Sequence, residues 1–361
     1  MRLNFMVCDL YAIFLLLVLS LYSCKGQVEN NISSDLKAGV GLSKSSRDAI
    51  GGTSNSVIYK DQISQVVRKI FQDSRGIIWF GTQNGAFKLV NNKLISIKDI
   101  RSEANSPVTI KDICEDDNGV IWFGHTDGVS SIYEDKVKNY YESDGLISND
   151  VWSIESDQKG RIWIGTLRGV SILEGDMFTF FELPKGKIDT TLGISSREIV
   201  HDIMLDHEGV LWFCTNAGLF SYTDEKLINV SEEFDIKTNF INSIIEVNEQ
   251  GEYWISTKED LYHLKDDQVD NLTKDKVETG KGIGSIEIDK AGVVWFVSDQ
   301  HILYKYQNKM LTKFPKSEDN KGPVIFQIFE DKESRLWFVG YGGAFRLEAG
   351  QFVNITKAGP W

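Results

Sequence analysis

The sequence is poor in the residues that bind metals. Its 361 residues include 5 histidines and 4 cysteines, with no His-x-x-x-His pair and no cluster of cysteines. A zinc site needs three or four such ligands at close spacing. We therefore expect no metal site.

Basic residues are also scarce, with 39 Lys and Arg against 52 Asp and Glu, a net charge of -13. Nucleic-acid-binding proteins need clustered Lys and Arg to displace counterions from phosphates. The composition therefore excludes nucleic acid as a partner. The sequence also lacks a Gly-rich phosphate loop, a kinase signature and a helix long enough to carry one, so we expect no cofactor.

Only one long apolar run is present, from Leu10 to Tyr22. This run is too short to span a bilayer as a helix, but its length suits the apolar segment of a secretory signal. The stretch Leu21-Tyr22-Ser23-Cys24 resembles the lipobox of bacterial lipoproteins, in which the cysteine becomes the lipidated first residue. A signal cleaved without lipidation and an uncleaved anchor are the alternatives.

Residues 1–24 are therefore predicted to be a lipoprotein signal peptide that is lipidated at Cys24. In gram-negative sorting, an Asp after the cysteine retains a lipoprotein at the inner membrane, and here the residue is Lys25. The resemblance implies a lipid-anchored protein of the outer membrane that touches the membrane through this anchor alone, with the periplasmic or surface side left open. Residues 25–55 are rich in Ser, Gly, Asn and Lys, which predicts a flexible linker of roughly 30 Å.

From residue 56 to residue 361 the sequence is organised by a repeat. Each unit has an apolar run, an Asp-x-x-Gly turn, a tryptophan and a second apolar run, and a period of about 40 to 45 residues is typical of a propeller blade. The fold class predicted is all-β, a seven-bladed β-propeller with four antiparallel strands per blade. The repeated tryptophans are Trp79, Trp122, Trp163, Trp212, Trp254, Trp295 and Trp337, at gaps of 43, 41, 49, 42, 41 and 42 residues.

The third repeat shows how one unit supplies four strands. Residues 151–155, 161–166, 170–173 and 177–181 are rich in β-formers and are separated by turn residues. Between the first two strands, Asp157 and Gly160 bound a tight turn, in which Asp accepts backbone hydrogen bonds and Gly supplies a positive φ.

The tryptophans and the acidic turns are interpreted as structural. A large ring at the same place in every blade fills the widening gap between twisted sheets. Cys114 and Cys214 fall in blades two and four, so we expect buried free thiols. Either residues 57–60 or residues 351–355 could supply the outer strand of the last blade, which closes the ring, and the sequence does not decide between them.

The units Asp-x-x-Gly-x-x-Trp-Phe/Ile-Gly-Thr, with Asp144-Gly145-Leu146 leading into a blade, resemble the two-component regulator propeller repeat over roughly residues 57–356. In that family the repeats form the periplasmic sensor of hybrid regulators that also carry a membrane helix and a histidine kinase. The resemblance implies the propeller fold and ligand binding for this chain. It has no kinase, receiver or DNA-binding segment before Trp361, so we do not expect phosphotransfer.

Loops that follow the tryptophan strands are the first candidate site. They share one end of the propeller with the links between blades. Their sequences vary from blade to blade, whereas the sequences of the acidic turns hardly change. Varied polar groups that converge on one mouth are what a ligand site in a symmetric scaffold requires, and solvated loops are the alternative. The ligand-binding candidates are Asn84, His125, Asp127, Arg168, Asn216, Lys258, Glu259, Asp299, His301 and Tyr341.

The first strand of each blade supplies a second candidate set. Four residues before each turn residue stands a polar side chain in six of seven blades, on a strand that is otherwise apolar, and in blade five this position is Ile244. These side chains either line the channel or bond the inner strands together. The channel-lining candidates are Lys69, Asp112, Ser153, Asp202, Ser285 and Gln327. Trp152, His201 and Phe326, one position earlier, are expected to flank the mouth.

The function predicted is an envelope-anchored propeller of sensor type that binds a ligand or a protein without an output domain of its own. A glycan is one candidate ligand, and a separate membrane regulator is the candidate partner. No Ser-His-Asp order is evident, and no residue is assigned a catalytic role. The alternative is a propeller lyase or hydrolase for a glycan or small molecule, in which Asp112 and Asp202 would face one channel. The third candidate function is that of a scaffold for protein assembly.

Overall fold

The computed structural model describes residues 61–361 except 189, 191–194, 248, 250, 275, 278–281, 299–301 and 316–321. Within the described residues, 28 strands form seven separate antiparallel sheets of four strands each. The prediction of a seven-bladed β-propeller with four strands per blade is confirmed. The predicted signal peptide, lipidation site and linker lie outside the described residues.

Each blade consists of four strands that follow one another along the chain and pair in that order. The first three blades are β1 Val67–Gln72, β2 Ile78–Thr82, β3 Gly85–Val90, β4 Lys93–Ile97; β5 Ile110–Glu115, β6 Ile121–His125, β7 Gly128–Tyr133, β8 Lys136–Tyr140; and β9 Val151–Ser156, β10 Ile162–Thr166, β11 Gly169–Glu174, β12 Met177–Phe181. Blades four and five are β13 Val200–Leu205, β14 Leu211–Thr215, β15 Leu219–Thr223, β16 Lys226–Asn229; and β17 Ile241–Val247, β18 Glu252–Thr257, β19 Leu261–Lys265, β20 Gln268–Asn271. Blades six and seven are β21 Ile283–Ile288, β22 Val294–Ser298, β23 Ile302–Gln307, β24 Met310–Lys313; and β25 Val324–Glu330, β26 Leu336–Tyr341, β27 Gly343–Glu348, β28 Gln351–Ile355.

Short helices lie in two of the links between blades that the structure describes in full. A 3-10 helix spans Glu142–Asp144, and the α-helix α1 spans Val230–Glu233. No helix in the described part of the chain is long and apolar enough to cross a membrane.

The first strands of the seven blades line the centre and form a closed ring. Each contacts the first strand of the next blade, and β25 contacts β1. Ile70 N–H donates to Gln327 Oε1 at 2.7 Å, and Lys332 N–H donates to Gln72 Oε1 at 2.7 Å, so both bonds join blade seven to blade one. Residues 351–355 form the outer strand of blade seven as β28. The other candidate for that position, residues 57–60, lies outside the described residues.

A carboxylate holds each Asp turn to its tryptophan, and this carboxylate is buried in blades one, three, four and seven. Asp157 Oδ1 accepts the backbone N–H groups of Lys159 and Arg161, both at 2.9 Å, which fixes the turn. Asp157 Oδ2 accepts the indole N–H of Trp163 at 2.8 Å. The same indole bond, at 2.7 to 3.1 Å, joins Asp73 to Trp79, Asp116 to Trp122, Asp206 to Trp212, Asp289 to Trp295 and Asp331 to Trp337.

Blade five lacks this carboxylate. Val247 pairs with Glu252, so its turn is one residue longer than the others, and Val247 stands where they have Asp. Trp254 stacks instead on His263, with ring centroids 4.6 Å apart, and His263 Nε2 lies 2.7 Å from Glu252 Oε1. In this blade a histidine that is bonded to a glutamate therefore packs on the face of the tryptophan.

The hydrophobic core lies between neighbouring blades. Trp79 of blade one packs edge-on against Phe123 of blade two at 5.8 Å, and Trp337 of blade seven packs against Phe80 of blade one at 5.9 Å. All seven repeat tryptophans are at most 7% exposed, so their predicted role in the core is confirmed. Cys114 and Cys214 are buried free thiols, also as predicted.

We expect Asp331→Ala to destabilise the protein strongly. The substitution leaves the indole N–H of Trp337 and the backbone N–H groups of Glu333 and Arg335 without the acceptor that they have at 2.7, 3.1 and 2.8 Å. Loss of buried hydrogen bonds to a charged group should cost about 3 kcal/mol, measured as a fall of several degrees in the melting temperature.

A suitable control is Asp176→Ala, which removes an exposed ion pair with Lys138. Exposed ion pairs contribute little, so the melting temperature should change by less than the equivalent of about 1 kcal/mol. Equal destabilisation by the two variants would contradict the structural role assigned to the Asp turn.

Candidate functional site

The two ends of the channel are built from different loops. Leu167 N–H donates to Asp150 O and Lys258 N–H donates to Phe240 O, both at 3.0 Å, so the hairpin after a tryptophan strand bonds to the residue just before a first strand. The end that holds these hairpins and the links between blades is called the top face below. The Asp turns lie at the opposite end.

A β-bulge interrupts the first strand of every blade close to the top face. In blade one, Val67 pairs with Thr82 and Lys69 with Gly81, so Arg68 has no cross-strand partner. Equivalent register shifts occur in the other six blades. A bulge aims its extra side chain out of the regular alternation of the strand. The bulge ring consists of Arg68, Lys111, Trp152, His201, Asn242, Gly284 and Phe326.

Members of the bulge ring contact one another across blade boundaries. Arg68 Cζ lies 4.9 Å from the ring centroid of Phe326, and Lys111 Nζ lies 4.1 Å from that of Trp152. Trp152 meets His201 edge to face, with ring centroids 6.1 Å apart. These contacts form one group in blades seven and one and another in blades two, three and four, and the charges of Arg68 and Lys111 influence each other between the two groups. The bulge ring therefore lines the mouth of the channel.

Three further side chains extend these two groups. His201 stacks on Phe240 at 4.3 Å, and Lys258 Nζ lies 5.6 Å from the Phe240 ring. On the other flank, Tyr341 lies 5.1 Å from Phe326. Each of the three cations at the mouth thus lies over an aromatic face, Arg68 over Phe326, Lys111 over Trp152 and Lys258 over Phe240, an arrangement in which the ring attracts the cation.

Two buried polar atoms at the mouth have no hydrogen-bond partner among the described residues. They are Trp152 Nε1 and His201 Nε2. Burial, together with the positive charge of Lys258, lowers the pKa of His201 to about 4, so its imidazole is neutral at pH 7. Buried polar atoms are nearly always bonded in folded proteins, and two such atoms in contacting rings mark a place where a ligand can satisfy them.

The cations of the mouth are only partly neutralised. Lys111 Nζ forms an ion pair with Asp150. Arg68 has no carboxylate oxygen of the described residues within ion-pairing distance. Burial lowers the pKa of Arg68 and that of Lys111, and the nearby charge of Arg68 lowers the pKa of Lys111 further. The mouth therefore concentrates positive charge in a protein whose net charge is -13.

The channel-lining candidates lie one residue beyond the bulges and bond the inner strands to one another. Asp112 Oδ2 accepts Ile154 N–H at 2.9 Å, and Ser285 Oγ accepts Ile328 N–H at 2.8 Å, in each case from the next blade. The equivalent position in blade five is Ser243, not Ile244, because the turn of that blade is one residue longer. All seven blades thus carry a polar residue here. The channel ring consists of Lys69, Asp112, Ser153, Asp202, Ser243, Ser285 and Gln327.

Charged groups of the channel ring are coupled to a buried glutamate. Lys69 Nζ lies 2.6 Å from Asp112 Oδ1. Burial raises the pKa of Glu155 to about 8 and that of Asp202 to about 7, and the charge of Asp112 raises both further while the charge of Lys69 opposes the rise. Cys114, which is buried beside this group, has its pKa raised in the same way. These carboxyls therefore hold protons close to neutral pH.

The predicted loop residues divide according to their contacts. Lys258 and Tyr341 lie beside the mouth, as described above. His125 is fully buried in its own hairpin, where Nε2 lies 3.0 Å from Ser130 Oγ, and burial lowers its pKa to about 3. Asn216 is buried and donates to Ser196 O at 2.5 Å. Arg168 is exposed and pairs with Glu142 at 2.7 Å.

The remaining loop candidates contribute little to the mouth. Asn84 and Glu259 are exposed, and their backbone N–H groups donate to the threonines of their own hairpins. Asp127 is half-buried, with a pKa raised by burial and opposed by a hydrogen bond to Ser102. Asp299 and His301 lie outside the described residues.

Several mouth residues were not singled out from the sequence. Arg68, Lys111 and Asn242 occupy the position of Trp152, His201 and Phe326, but a charged or amide residue on a strand has no distinctive signal. Phe240 lies in a link between blades. An alignment of all seven repeats on the buried residue that precedes each bulge would have revealed these positions in the sequence.

We expect the channel carboxyls to make stability fall as pH rises. The unfolded-state pKa of a carboxyl is about 4. When the folded-state pKa is higher, the folded protein keeps the carboxyl proton at pH values at which the unfolded protein has lost it. Stability is therefore lost between about pH 4 and the folded values of about 8 for Glu155 and 7 for Asp202. Glu155→Gln and Asp202→Asn should raise the melting temperature relative to the unmodified chain by several degrees at pH 8.5 and by less at pH 5.

The control for this measurement is Glu174→Gln, since Glu174 is exposed at the end of β11. Its melting-temperature difference from the unmodified chain should be independent of pH. A difference that stays constant with pH for Glu155→Gln and Asp202→Asn as well would show that neither carboxyl holds a proton in the folded state.

A family model described as two component regulator propeller matches residues 61–84, 102–127 and 145–168. Each matched segment spans a first strand, its Asp turn and the tryptophan strand of blade one, two or three. Among curated proteins, none matches the chain significantly.

Solved structures with the same fold include extracellular domains of one and two component systems, and a lyase. The extracellular domain of the putative one component system BT4673 from B. thetaiotaomicron is 20% identical over 79% of this chain and 38% of that chain, with a TM-score of 0.63. That of the putative hybrid two component system BT3049 is 19% identical over 81% of this chain and 40% of that chain, with a TM-score of 0.61. Virginiamycin B lyase from Staphylococcus aureus is 15% identical over 79% of this chain and 95% of that chain, with a TM-score of 0.59.

At these identities the likeness shows the fold alone, and this chain spans about two fifths of the length of the BT4673 and BT3049 domains. The repeat match and the seven Trp-centred blades agree with each other. The chain therefore carries two-component regulator propeller repeats in its first three blades.

Proposed function

We propose that this chain is a ligand-binding propeller of sensor type in the cell envelope of a gram-negative bacterium, and that its ligand binds at the bulge ring. The observation that carries the proposal is the pair of buried, unpartnered atoms Trp152 Nε1 and His201 Nε2 beside partly neutralised cations. Small-ligand sites combine apolar walls with a few convergent polar groups. The mouth has both.

The scaffold supports binding at this place. The bulges lie on strands that are paired on one side and bonded to neighbouring first strands through the channel ring. Side chains held by such strands lose little conformational entropy when a ligand binds, which favours affinity. A bound ligand would contact several blades at once, and we propose that a separate membrane regulator detects this occupied top face.

A thermal-shift screen can locate the site without knowledge of the ligand. The purified full chain would be tested with a panel of oligosaccharides, organic acids and short peptides, and each hit measured by calorimetry. We expect Trp152→Ala and Phe326→Ala each to weaken the hit at least about tenfold, because each removes an aromatic wall worth about 1.5 kcal/mol.

The matched control is Tyr133→Ala, which removes an aromatic side chain that is 52% exposed at the end of β7 in blade two. Its affinity for the hit should equal that of the unmodified chain. A hit that keeps full affinity in the Trp152 and Phe326 variants would place the ligand elsewhere on the propeller.

A lyase or hydrolase is the second candidate function. The raised pKa of Asp202 near 7 is the observation in its favour, since a general acid must hold a proton at neutral pH. Asp202 is only half-exposed, however, and its carboxylate accepts backbone N–H groups of Ile203 and Ile244, which supports a structural role. Cleavage of any hit that is abolished by Asp202→Asn, with binding retained, would favour the enzyme.

The envelope location rests on the lipobox-like stretch that ends at Cys24. In a gram-negative host, we expect the full chain to fractionate with the outer membrane and to incorporate labelled palmitate. Cys24→Ser should abolish labelling, while Cys8→Ser should leave it unchanged. Labelling that persists in the Cys24 variant would contradict lipidation at this residue.

A further inference from the structure

We propose that the outer strand of blade three, β12, is a docking edge at which two copies of this chain pair as antiparallel strands. The inference goes beyond the proposed function, because it concerns the rim of the propeller and not the mouth of the channel. It rests on the exposed side chains of β12, on its open hydrogen-bonding groups and on the charges at its two ends.

β12 is the outer strand least protected against pairing with another chain. Proteins blunt such edges with Lys and other charged residues, and five of the seven outer strands carry a Lys or an Asp within their bounds. β12 and β28 carry none, but no large apolar side chain of β28 is exposed. In β12, Met177 and Phe180 are 72% and 60% exposed. This strand is therefore an open apolar edge.

The backbone of β12 leaves alternate residues open to a new strand. A two-residue loop joins β11 to β12, and Glu174 pairs with Met177 across it. In such a hairpin the pair that closes the loop is hydrogen-bonded, and bonded pairs then alternate along the strands. Met177 and Thr179 therefore bond to β11. The backbone groups of Phe178 and Phe180 point outward, and β12 is the last strand of its sheet, so no neighbouring strand of the described residues pairs with them.

A second copy of β12 can satisfy all of these open groups. Antiparallel pairing about a two-fold axis at Phe180 joins Phe180 to its own equivalent. It also joins Phe178 to Glu182, the next residue of the alternation, on both sides of the axis, which makes about six backbone hydrogen bonds. An axis at Thr179 would make about four and would oppose Asp176 to Glu182, a like-charge pair that destabilises a sheet. The hydrogen bonds and the charges therefore favour the same register.

The exposed side chains of β12 are also self-complementary in this register. The two Phe180 rings become neighbours at the axis, and aromatic cross-strand pairs stabilise a sheet. On the other face of the strand, Met177 comes opposite Leu183 of the second copy, a residue that packs against the apolar core between blades three and four. Pairing thus removes both exposed apolar side chains of β12 from water.

The charges at the two ends of β12 favour a second copy in the antiparallel orientation. Glu174 and Asp176 lie just before the strand, and the link after it carries Lys185 and Lys187. Antiparallel pairing brings the acidic end of each copy towards the basic link of the other, whereas parallel pairing would bring like charges together. Asp176 and Lys185 also have ion-pair partners within their own copy, so these charges set the orientation more than the affinity.

The expected dimer is weak. A five-residue edge buries less than the roughly 1,200 Å² of a standard interface. We therefore expect a dissociation constant on the order of 10 to 100 µM. Because the paired strands run in opposite directions, the top faces of the two copies point in opposite directions and pairing leaves both mouths open.

Sedimentation equilibrium with the full chain, at about 5 to 500 µM, tests the dimer. The chain carries Cys8→Ser and Cys24→Ser, so that neither a lipid anchor nor a cysteine of the predicted signal drives association. Phe180→Lys should weaken association at least about twentyfold, because it places two like charges against each other at the axis. The matched control is Ile95→Lys, the same change at an exposed apolar residue of the outer strand β4, and it should leave the dissociation constant unchanged.

Disulfide formation in the same chain tests the register. Phe180→Cys places the two thiols on neighbouring strands at the axis, with Cα atoms about 5.5 Å apart, and should cross-link the copies under mild oxidation. Met177 is more exposed than Phe180, but its two equivalents would lie about six residues apart along the paired strands, roughly 20 Å. Met177→Cys should therefore cross-link no faster than the control Ile95→Cys. Melting temperatures of all variants check that each is folded.

Three outcomes would overturn the proposal. A chain that stays monomeric at the highest concentration has no such dimer, and if its Phe180→Cys variant then cross-links to a different protein in an envelope extract, the edge belongs to another partner. Association that is equally strong in Phe180→Lys would place the contact elsewhere on the propeller. Cross-linking of Met177→Cys as fast as that of Phe180→Cys would show random collision. Each outcome leaves the proposed function untouched, because ligand binding at the mouth is measured separately in the Trp152 and Phe326 variants.

Discussion

The fold depends on a buried carboxylate that binds an indole. In six blades the turn Asp accepts the tryptophan N–H and backbone N–H groups of its own turn, so one side chain fixes the turn and anchors the largest core ring. A buried carboxylate is costly unless its oxygens are bonded, and here every bond that it accepts also serves the blade. In blade five, where the Asp is absent, Trp254 stacks instead on His263, whose Nε2 lies 2.7 Å from Glu252 Oε1.

This constraint acts at one end of the blade and leaves the other end free to vary. The Asp turns repeat because each must present the same acceptors to the same ring. At the top face the repeated feature is a backbone one, the bulge, and it imposes no residue type. Its seven positions therefore hold two cations, two large aromatic residues, a histidine, an amide and a glycine. A nearly sevenfold backbone thus presents a mouth with no symmetry, which is what recognition of an asymmetric small molecule requires.

The sequence predicts the fold well because the blade is specified locally. The four strands of blade three begin and end within one residue of the predicted bounds. The site was harder to predict, because a bulge is a property of strand pairing that no single unit reveals. His125 and Asn216 illustrate the difficulty. Both are polar residues near a top loop, yet each is buried and bonded within its own blade or link.

The channel ring and the bulge ring differ more clearly in their hydrogen bonds than in the polarity of their residues. In the channel ring Asp112, Ser285 and Gln327 each accept an N–H group from the neighbouring inner strand, so these groups are already used in holding the blades together. Ser153 Oγ, which is buried without a partner, is an exception. One residue earlier, Arg68, Trp152 and His201 have unused bonding capacity in side chains that touch their neighbours. Adjacent positions on the same strands therefore differ, because one joins neighbouring blades and the other supplies most of the side chains of the proposed ligand site.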